Sequence, residues 1–274
     1  MMNKKVLTIA GSDSSGGAGI QADIKTMCAY GIYGMSVITA VTAQNTLGVQ
    51  QVEEVPAGGV EAQLASVLSD LRPDGVKIGM VYSVETVQVI AEAIDRWNLT
   101  NVVLDPVMVS TSGRMLMKLE TAWAMQELLF PRALLVTPNL PEAERLAEML
   151  GEGGIREEAG DRHLWVEAAG RRFARRWNTA FLLKGGHLEG EPADYLYDGA
   201  AGMWFPGKRV ETRHTHGTGC TLSSAIACNL ALGSSLKKAV GEAKGYLEGC
   251  IRHHPGFGAG NGPLNHLWRM EECK

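Results

Sequence analysis

Thr215-His216-Gly217-Thr218-Gly219-Cys220 sets two glycines, hydroxyl groups and a thiol directly before a small apolar run, Leu222-Ser223-Ser224-Ala225-Ile226-Ala227-Cys228. The run reads as a buried helix. Glycines before it let the backbone turn tightly and leave room for a ligand. The N–H groups of a helix's first turn have no partner inside the helix, and with the helix dipole they favour negative charge. An anion is therefore the natural guest of this loop. A thiol at Cys220 shares the same field, which predicts a lowered pKa and a role as base or nucleophile. The competing reading is a tight turn before a core helix that carries a buried cysteine.

Such a loop needs a scaffold, and the rest of the chain supplies one. Apolar runs at residues 6–10, 36–41, 75–79, 102–105, 134–137 and 180–184 read as strands. Being apolar on both faces, they predict parallel strands covered by helices. Helical windows fall at 18–30, 59–71, 84–97, 119–129, 141–150, 222–232 and 236–252. Trp165, Ala169, Phe173 and Trp177 repeat every four residues along one further helical face, which leaves Arg171, Arg172, Arg175 and Arg176 on a solvated one. Residues 191–210, with Tyr195, Tyr197, Trp204 and Phe205, predict a β-rich excursion over the site region. The alternation of strand and helix predicts an α/β fold with a central, mostly parallel sheet between helical layers.

Ligands of such folds bind beyond the carboxyl ends of the strands. Polar or unusual residues follow each predicted strand: Gly11-Ser12-Asp13, Thr42-Ala43-Gln44-Asn45, Gly79-Met80, Asp105-Pro106-Val107-Met108, Thr137-Pro138-Asn139 with Glu142, and Lys184-Gly185-Gly186. A parallel sheet would bring them to one rim. Lys184 is the natural point charge for a phosphate, or else a lysine whose stem lies along the surface.

Composition narrows the function classes. The 274 residues are 45% hydrophobic and 20% charged with a net charge of −4, which argues against a nucleic-acid surface. Five scattered cysteines without a Cys-x-x-Cys indicate neither a disulfide framework nor a zinc knuckle and fit a reducing cytoplasm. The apolar segment 6–10 is too short for a signal peptide or a membrane span. The 33 glycines follow no fixed period, and no linker divides the chain, so one domain over residues 1–274 is expected.

Several segments resemble, in order, the hydroxymethylpyrimidine/phosphomethylpyrimidine kinases. They are Thr8-Ile9-Ala10-Gly11-Ser12-Asp13-Ser14-Ser15-Gly16-Gly17-Ala18-Gly19, Val41-Thr42-Ala43-Gln44-Asn45, Asp105-Pro106-Val107-Met108, Thr137-Pro138-Asn139-Leu140-Pro141-Glu142, Lys184-Gly185-Gly186-His187 and His216-Gly217-Thr218-Gly219-Cys220-Thr221. The resemblance extends to Gly262-Pro263-Leu264-Asn265-His266. It implies a ribokinase-like fold, ATP with Mg²⁺, a homodimer and a place in thiamine biosynthesis.

Residue by residue, the resemblance implies backbone donors to the transferring phosphoryl group from Gly217, Thr218, Gly219 and Cys220. It also puts Cys220 where related sugar kinases carry an Asp base. Lys184, Asn139, Thr218, Gly219 and Lys244 are then candidates for ATP binding. Glu142 would orient Mg²⁺ through water, or be a helix-start carboxylate; Asp105 is a second metal candidate, or an Asp that ends a strand before proline. Gln44, whose amide donates and accepts at once, would read the pyrimidine, with Asp23, Met80, Val107, Gly11 and Ala18 completing the pocket. Met80 and Val107 fit a core equally well, and Asp13 fits a helix cap as well as a ligand contact. Cys28, Cys228 and Cys250 are expected in the core. A pyridoxal or pyridoxine kinase, a silent binding module and an acyl-transfer cysteine enzyme are the rivals; Gln44, the intact set of Lys184, Glu142 and the anion loop, and the lack of an oriented His partner argue against them in turn.

Overall fold

The computed structural model describes residues 3–108, 117–151, 161–186 and 191–271. Strands β1 (Lys5–Asp13), β2 (Tyr33–Asn45), β3 (Gly48–Glu54), β4 (Gly75–Ile78), β5 (Val102–Leu104), β6 (Leu135–Val136), β7 (Ala180–Leu183), β8 (Ala193–Tyr197) and β9 (Gly202–Pro206) form one sheet, ordered β3-β2-β1-β4-β5-β6-β7-β8-β9. From β2 to β7 every pairing is parallel; β2–β3, β7–β8 and β8–β9 are antiparallel.

Strand side chains alternate between faces, and the two faces build two cores. Leu7, Ile9, Leu104 and Phe181 point to the face covered by α2 (Ala57–Leu68), α3 (Val84–Trp97), α4 (Leu119–Leu128), α5 (Leu140–Met149) and α6 (Arg162–Trp177). Val6, Val103 and Leu182 point to the face covered by α1 (Gly19–Ala29), α7 (Thr218–Ala231) and α8 (Leu236–Arg252). A short α9 (Trp268–Glu271) follows. This is the three-layer α/β/α, ribokinase-like arrangement. Among the described residues no helix is long and apolar enough to cross a membrane.

Local signals explain the helix bounds. α3 begins at Ser83, whose hydroxyl accepts from Thr86 N, and ends at Asn98, whose φ of 49° turns the chain out of the helix. On α6 the predicted face is buried: Trp165, Phe173 and Trp177 pack there, while Arg171, Arg172, Arg175 and Arg176 are exposed. Cys228 and Cys250 lie in the core, but Cys28 is exposed on the outer side of α1, contrary to the expectation. Thr42-Ala43-Gln44-Asn45 is not a loop. β2 runs on through it and pairs with β3, a strand with no apolar signature because Gln50, Gln51, Glu53 and Glu54 are exposed at the sheet edge. The predicted 191–210 excursion likewise extends the sheet as β8 and β9, and both Pro192 and Asp194 at the start of β8 and the chain after β9 reach the site. His187 and residues 152–160 lie outside the described residues.

Phe173 is fully buried, with ring centroids 5.8 Å from Trp177 and 5.4 Å from Phe181. Phe173→Ala is expected to cost about 3–5 kcal/mol. Urea denaturation checks this, and a loss below about 1 kcal/mol would show that the cluster collapses around the gap.

Candidate active site

Two glycine-rich loops meet at the carboxyl ends of the strands. The loop after β1 is organised by Asp13. Its Oδ1 accepts from Ser15 N at 2.9 Å and Ser15 Oγ at 2.8 Å, and its Oδ2 from Gly17 N at 3.0 Å and Ala18 N at 2.8 Å. His216 Nε2, from the loop before α7, lies 2.8 Å from the same Oδ2. Burial alone would raise the Asp13 pKa; the hydrogen bonds from His216, Ser15 and Ala18 overcome it and hold the carboxyl at about 2. Asp13 is thus the anchor of its own loop. Gly217 has φ 87°, and a Cβ there would overlap the carbonyl of Gly17. The two backbones touch, and only glycine permits it.

Gly217 starts α7 without a side-chain cap, and Thr218, Gly219 and Cys220 line a cavity of about 640 Å³ with the first loop. On the wall of this cavity Lys184 Nζ lies 2.6 Å from Asp105 Oδ1. The lysine points inward. Burial disfavours its charge, but Asp105 and Glu142 outweigh that and keep its pKa raised. A Cβ on Gly219 would crowd Asp105 Oδ2 at 3.1 Å and Lys184 Nζ at 3.3 Å, so the bare backbone leaves space beside this pair.

Asn139 and Glu142 form a capping box at the start of α5: Asn139 Oδ1 accepts from Glu142 N at 2.9 Å, and Glu142 Oε2 from Asn139 N at 2.8 Å. Glu142 is also buried on the cavity wall. Burial raises its pKa, Lys184 opposes that and the Asp105 charge adds to it, leaving the carboxyl at about 7. Two neighbouring buried acids, one of them costly to ionise beside the other, suit a small divalent cation, and Mg²⁺ takes few protein carboxylates. The donor set therefore fits Mg²⁺. Lys244 lines the cavity too, but its Nζ is held 2.6 Å from Asp194 Oδ2, whose Oδ1 accepts from Gly185 N.

Gln44, Met80, Val107, Gly11 and Ala18 line the same cavity. A register shift between Ala43 and Gln44 aims the Gln44 side chain inward. Its Nε2 lies 3.1 Å from His216 Nε2. The His216 proton goes to Asp13, so the Gln44 amide nitrogen gains no acceptor there. Met80 and Val107 belong to neither main core; they form a small cluster with Ala40 on the cavity wall.

Two expectations need correction. Asp23 does not line the cavity. It is fully buried, with Oδ2 accepting from Thr8 Oγ1 at 2.6 Å and Lys77 Nζ at 2.8 Å and Oδ1 from Ser224 Oγ at 2.7 Å. Nor does Cys220 have a lowered pKa. Burial pushes the thiol up to about 11; Lys77 pulls it down, while Asp23 and Asp105 push it further up. Lys77, Arg145 and Lys208 line the cavity without having been assigned roles. A signal for Lys77 was present, since it is a charge inside the apolar strand Gly75-Val76-Lys77-Ile78.

The phosphomethylpyrimidine kinase family model matches residues 13–265. A hydroxymethylpyrimidine/phosphomethylpyrimidine kinase of Rhizobium meliloti is 49% identical over 98% of this chain and 98% of its own. A thiamine biosynthesis bifunctional protein of Geobacter sulfurreducens is 47% identical over 98% of this chain, which spans 53% of that relative's length. Among solved structures, an ADP complex of Bacillus subtilis pyridoxal kinase is 33% identical with a TM-score of 0.86, covering 99% of this chain and 100% of that one.

Asp13→Asn is expected to lower stability by about 2 kcal/mol at pH 7. A depressed carboxyl stabilises the fold above its ordinary pKa of 3.8, and this contribution disappears as pH falls through about 2. The difference between wild type and variant should therefore shrink at pH 3. Guanidinium unfolding at both pH values checks it, and equal differences would remove the electrostatic explanation.

Proposed function

The chain belongs to the phosphomethylpyrimidine kinase family, and from that premise we propose that it transfers the γ-phosphoryl group of ATP to 4-amino-5-hydroxymethyl-2-methylpyrimidine and then to its monophosphate, in thiamine biosynthesis. One observation carries the reading. A single cavity is lined by Gln44, Met80 and Val107 together with Lys184, Asp105, Glu142 and the Gly217–Cys220 backbone.

Phosphoryl transfer asks for positioning and charge neutralisation more than for covalent chemistry. Gln44 would hydrogen-bond the amino group and a ring nitrogen while Met80 and Val107 hold the ring's apolar edge. The acceptor oxygen would then face Cys220. The uncapped start of α7 would receive the transferring phosphoryl oxygens, with Lys184 as the fixed positive charge beside them. Asp105 and Glu142 would hold Mg²⁺, which neutralises phosphate charge when bound. Cys220 would take the hydroxyl proton only as a thiolate, so its protonated resting state sets a pH dependence on turnover. Asn139 and Lys244 would border the nucleotide. A homodimer in the cytoplasm completes the proposal.

Pyridoxal phosphorylation is the second reading, favoured by the likeness to the Bacillus subtilis pyridoxal kinase. Purified protein given Mg-ATP with the hydroxymethylpyrimidine, and separately with pyridoxal, should yield mono- and diphosphorylated pyrimidine and little pyridoxal phosphate by mass spectrometry. Dominant pyridoxal phosphate would overturn the assignment. Lys184→Ala should lower kcat about 10²–10³-fold. Gln44→Ala should raise KM for the pyrimidine, and an unchanged KM would remove its recognition role.

A further inference from the structure

At the cavity floor lies a buried charge pair that no step above uses. Lys77 and Asp23 have no exposed side-chain surface, and Nζ lies 2.8 Å from Oδ2. The pair joins four elements. Lys77 comes from β4 and Asp23 from α1; Thr8 of β1 and Ser224 of α7 donate to the carboxylate. A Cβ on Gly79 would come within 2.6 Å of Lys77 Nζ, so the ammonium is packed against the end of its own strand. Desolvating two ions is expensive, and breaking such a pair leaves an uncompensated buried charge. Apolar residues would fill the space at less cost, so the pair calls for a function.

Its surroundings supply one. Ser224 lies one turn after Cys220 on α7 and so shares its helix face. Lys77 and Cys220 both line the cavity. We propose that Lys77, held in place by Asp23, is a positioning cation for Cys220 and offsets the negative charge on Sγ whenever the thiol proton has left. The step is a proton transfer: the S–H bond breaks, the electron pair stays on sulfur and the proton passes to water. In turnover the thiolate then takes the acceptor hydroxyl's proton as that oxygen bonds to phosphorus. This second part rests on the kinase reading.

The charged groups facing Cys220 are Lys77 from β4, Asp23 from α1, Asp105 beyond β5 and Lys184 beyond β7. Burial opposes the Lys77 charge, and Asp23 with Cys220 and Asp105 overcomes it, so the lysine remains an ammonium. Lys77 is the largest influence lowering the Cys220 pKa, ahead of the opposing Asp23.

The test needs no substrate. Carbamidomethylation by iodoacetamide is followed from pH 6.5 to 10, peptide by peptide, with exposed Cys28 as reference and buried Cys228 and Cys250 as reporters of unfolding. Lys77→Met should slow Cys220 about tenfold at pH 8.5 relative to Cys28, one pKa unit being tenfold in thiolate, and move the rise of its rate to higher pH. An unchanged rate with Cys228 and Cys250 still protected would overturn the inference. If the single variant exposes those cysteines, Lys77→Met with Asp23→Leu replaces the pair by apolar groups and decides instead. About threefold slowing of Cys220 is then expected, and an unchanged or faster rate would overturn it. Failure of the kinase reading would show separately, as no phosphorylated product from wild type.

Discussion

The contact between the two glycine-rich loops is the constraint on which the site depends. Gly17 and Gly217 meet backbone to backbone, and Asp13 meets His216 across the same seam. One loop leaves β1 and the other enters α7, more than two hundred residues later. Their junction sets where α7 begins, hence where Gly219 and Cys220 face the cavity. The Asp13 carboxylate is the centre of this junction because it accepts from backbone, hydroxyl and imidazole donors together. A carboxylate saturated by donors is a rigid hub, since moving any partner strands a buried charge.

Around that hub the sheet brings two lysines to the strand ends, each paired with an acid. Lys77–Asp23 is buried at the floor, and Lys184–Asp105 is set in the wall. Both are costly to desolvate, and the two differ in what they face. The upper pair borders open space left by Gly219, with Glu142 nearby as a second carboxylate. In the proposed reaction it would exchange partners with an incoming anion and cation. The lower pair has no such space, and its hydroxyl donors from β1 and α7 complete it from within.

The antiparallel additions at the sheet edges serve the same cavity. β3 lengthens β2 so that Gln44 reaches inward from a shifted register, and the chain beyond β9 brings Gly207, Lys208, Arg209 and Val210 to the cavity wall. Asp194 on β8 ties Lys244 of α8 to the Gly185 backbone beside Lys184. Edge strands here act less as sheet than as props for the rim.

The alternation of apolar runs and helical windows was enough to read the parallel centre of the sheet, because buried parallel strands leave continuous apolar stretches. It was also enough to place α3 and α8, whose ends carry local capping or periodic signals. Most candidate site residues were legible for a related reason: polar groups at the ends of parallel strands converge on one rim, even where, as with Asp13, Asn139 and Glu142, they also tie down local backbone. β3 was not legible, since an exposed edge strand needs no apolar pattern. Three features were decided by tertiary structure alone. Asp23 is a support rather than a wall of the cavity because Thr8, Lys77 and Ser224 surround it from distant parts of the chain. Cys220 is a protonated thiol because burial and two neighbouring acids outweigh a helix field that local sequence does predict. His216 reaches Asp13 through a fold-wide crossing that no spacing along the chain encodes. Periodicity and turn chemistry are local and survive in the sequence; desolvation and charge pairing are sums over neighbours that only the folded chain assembles.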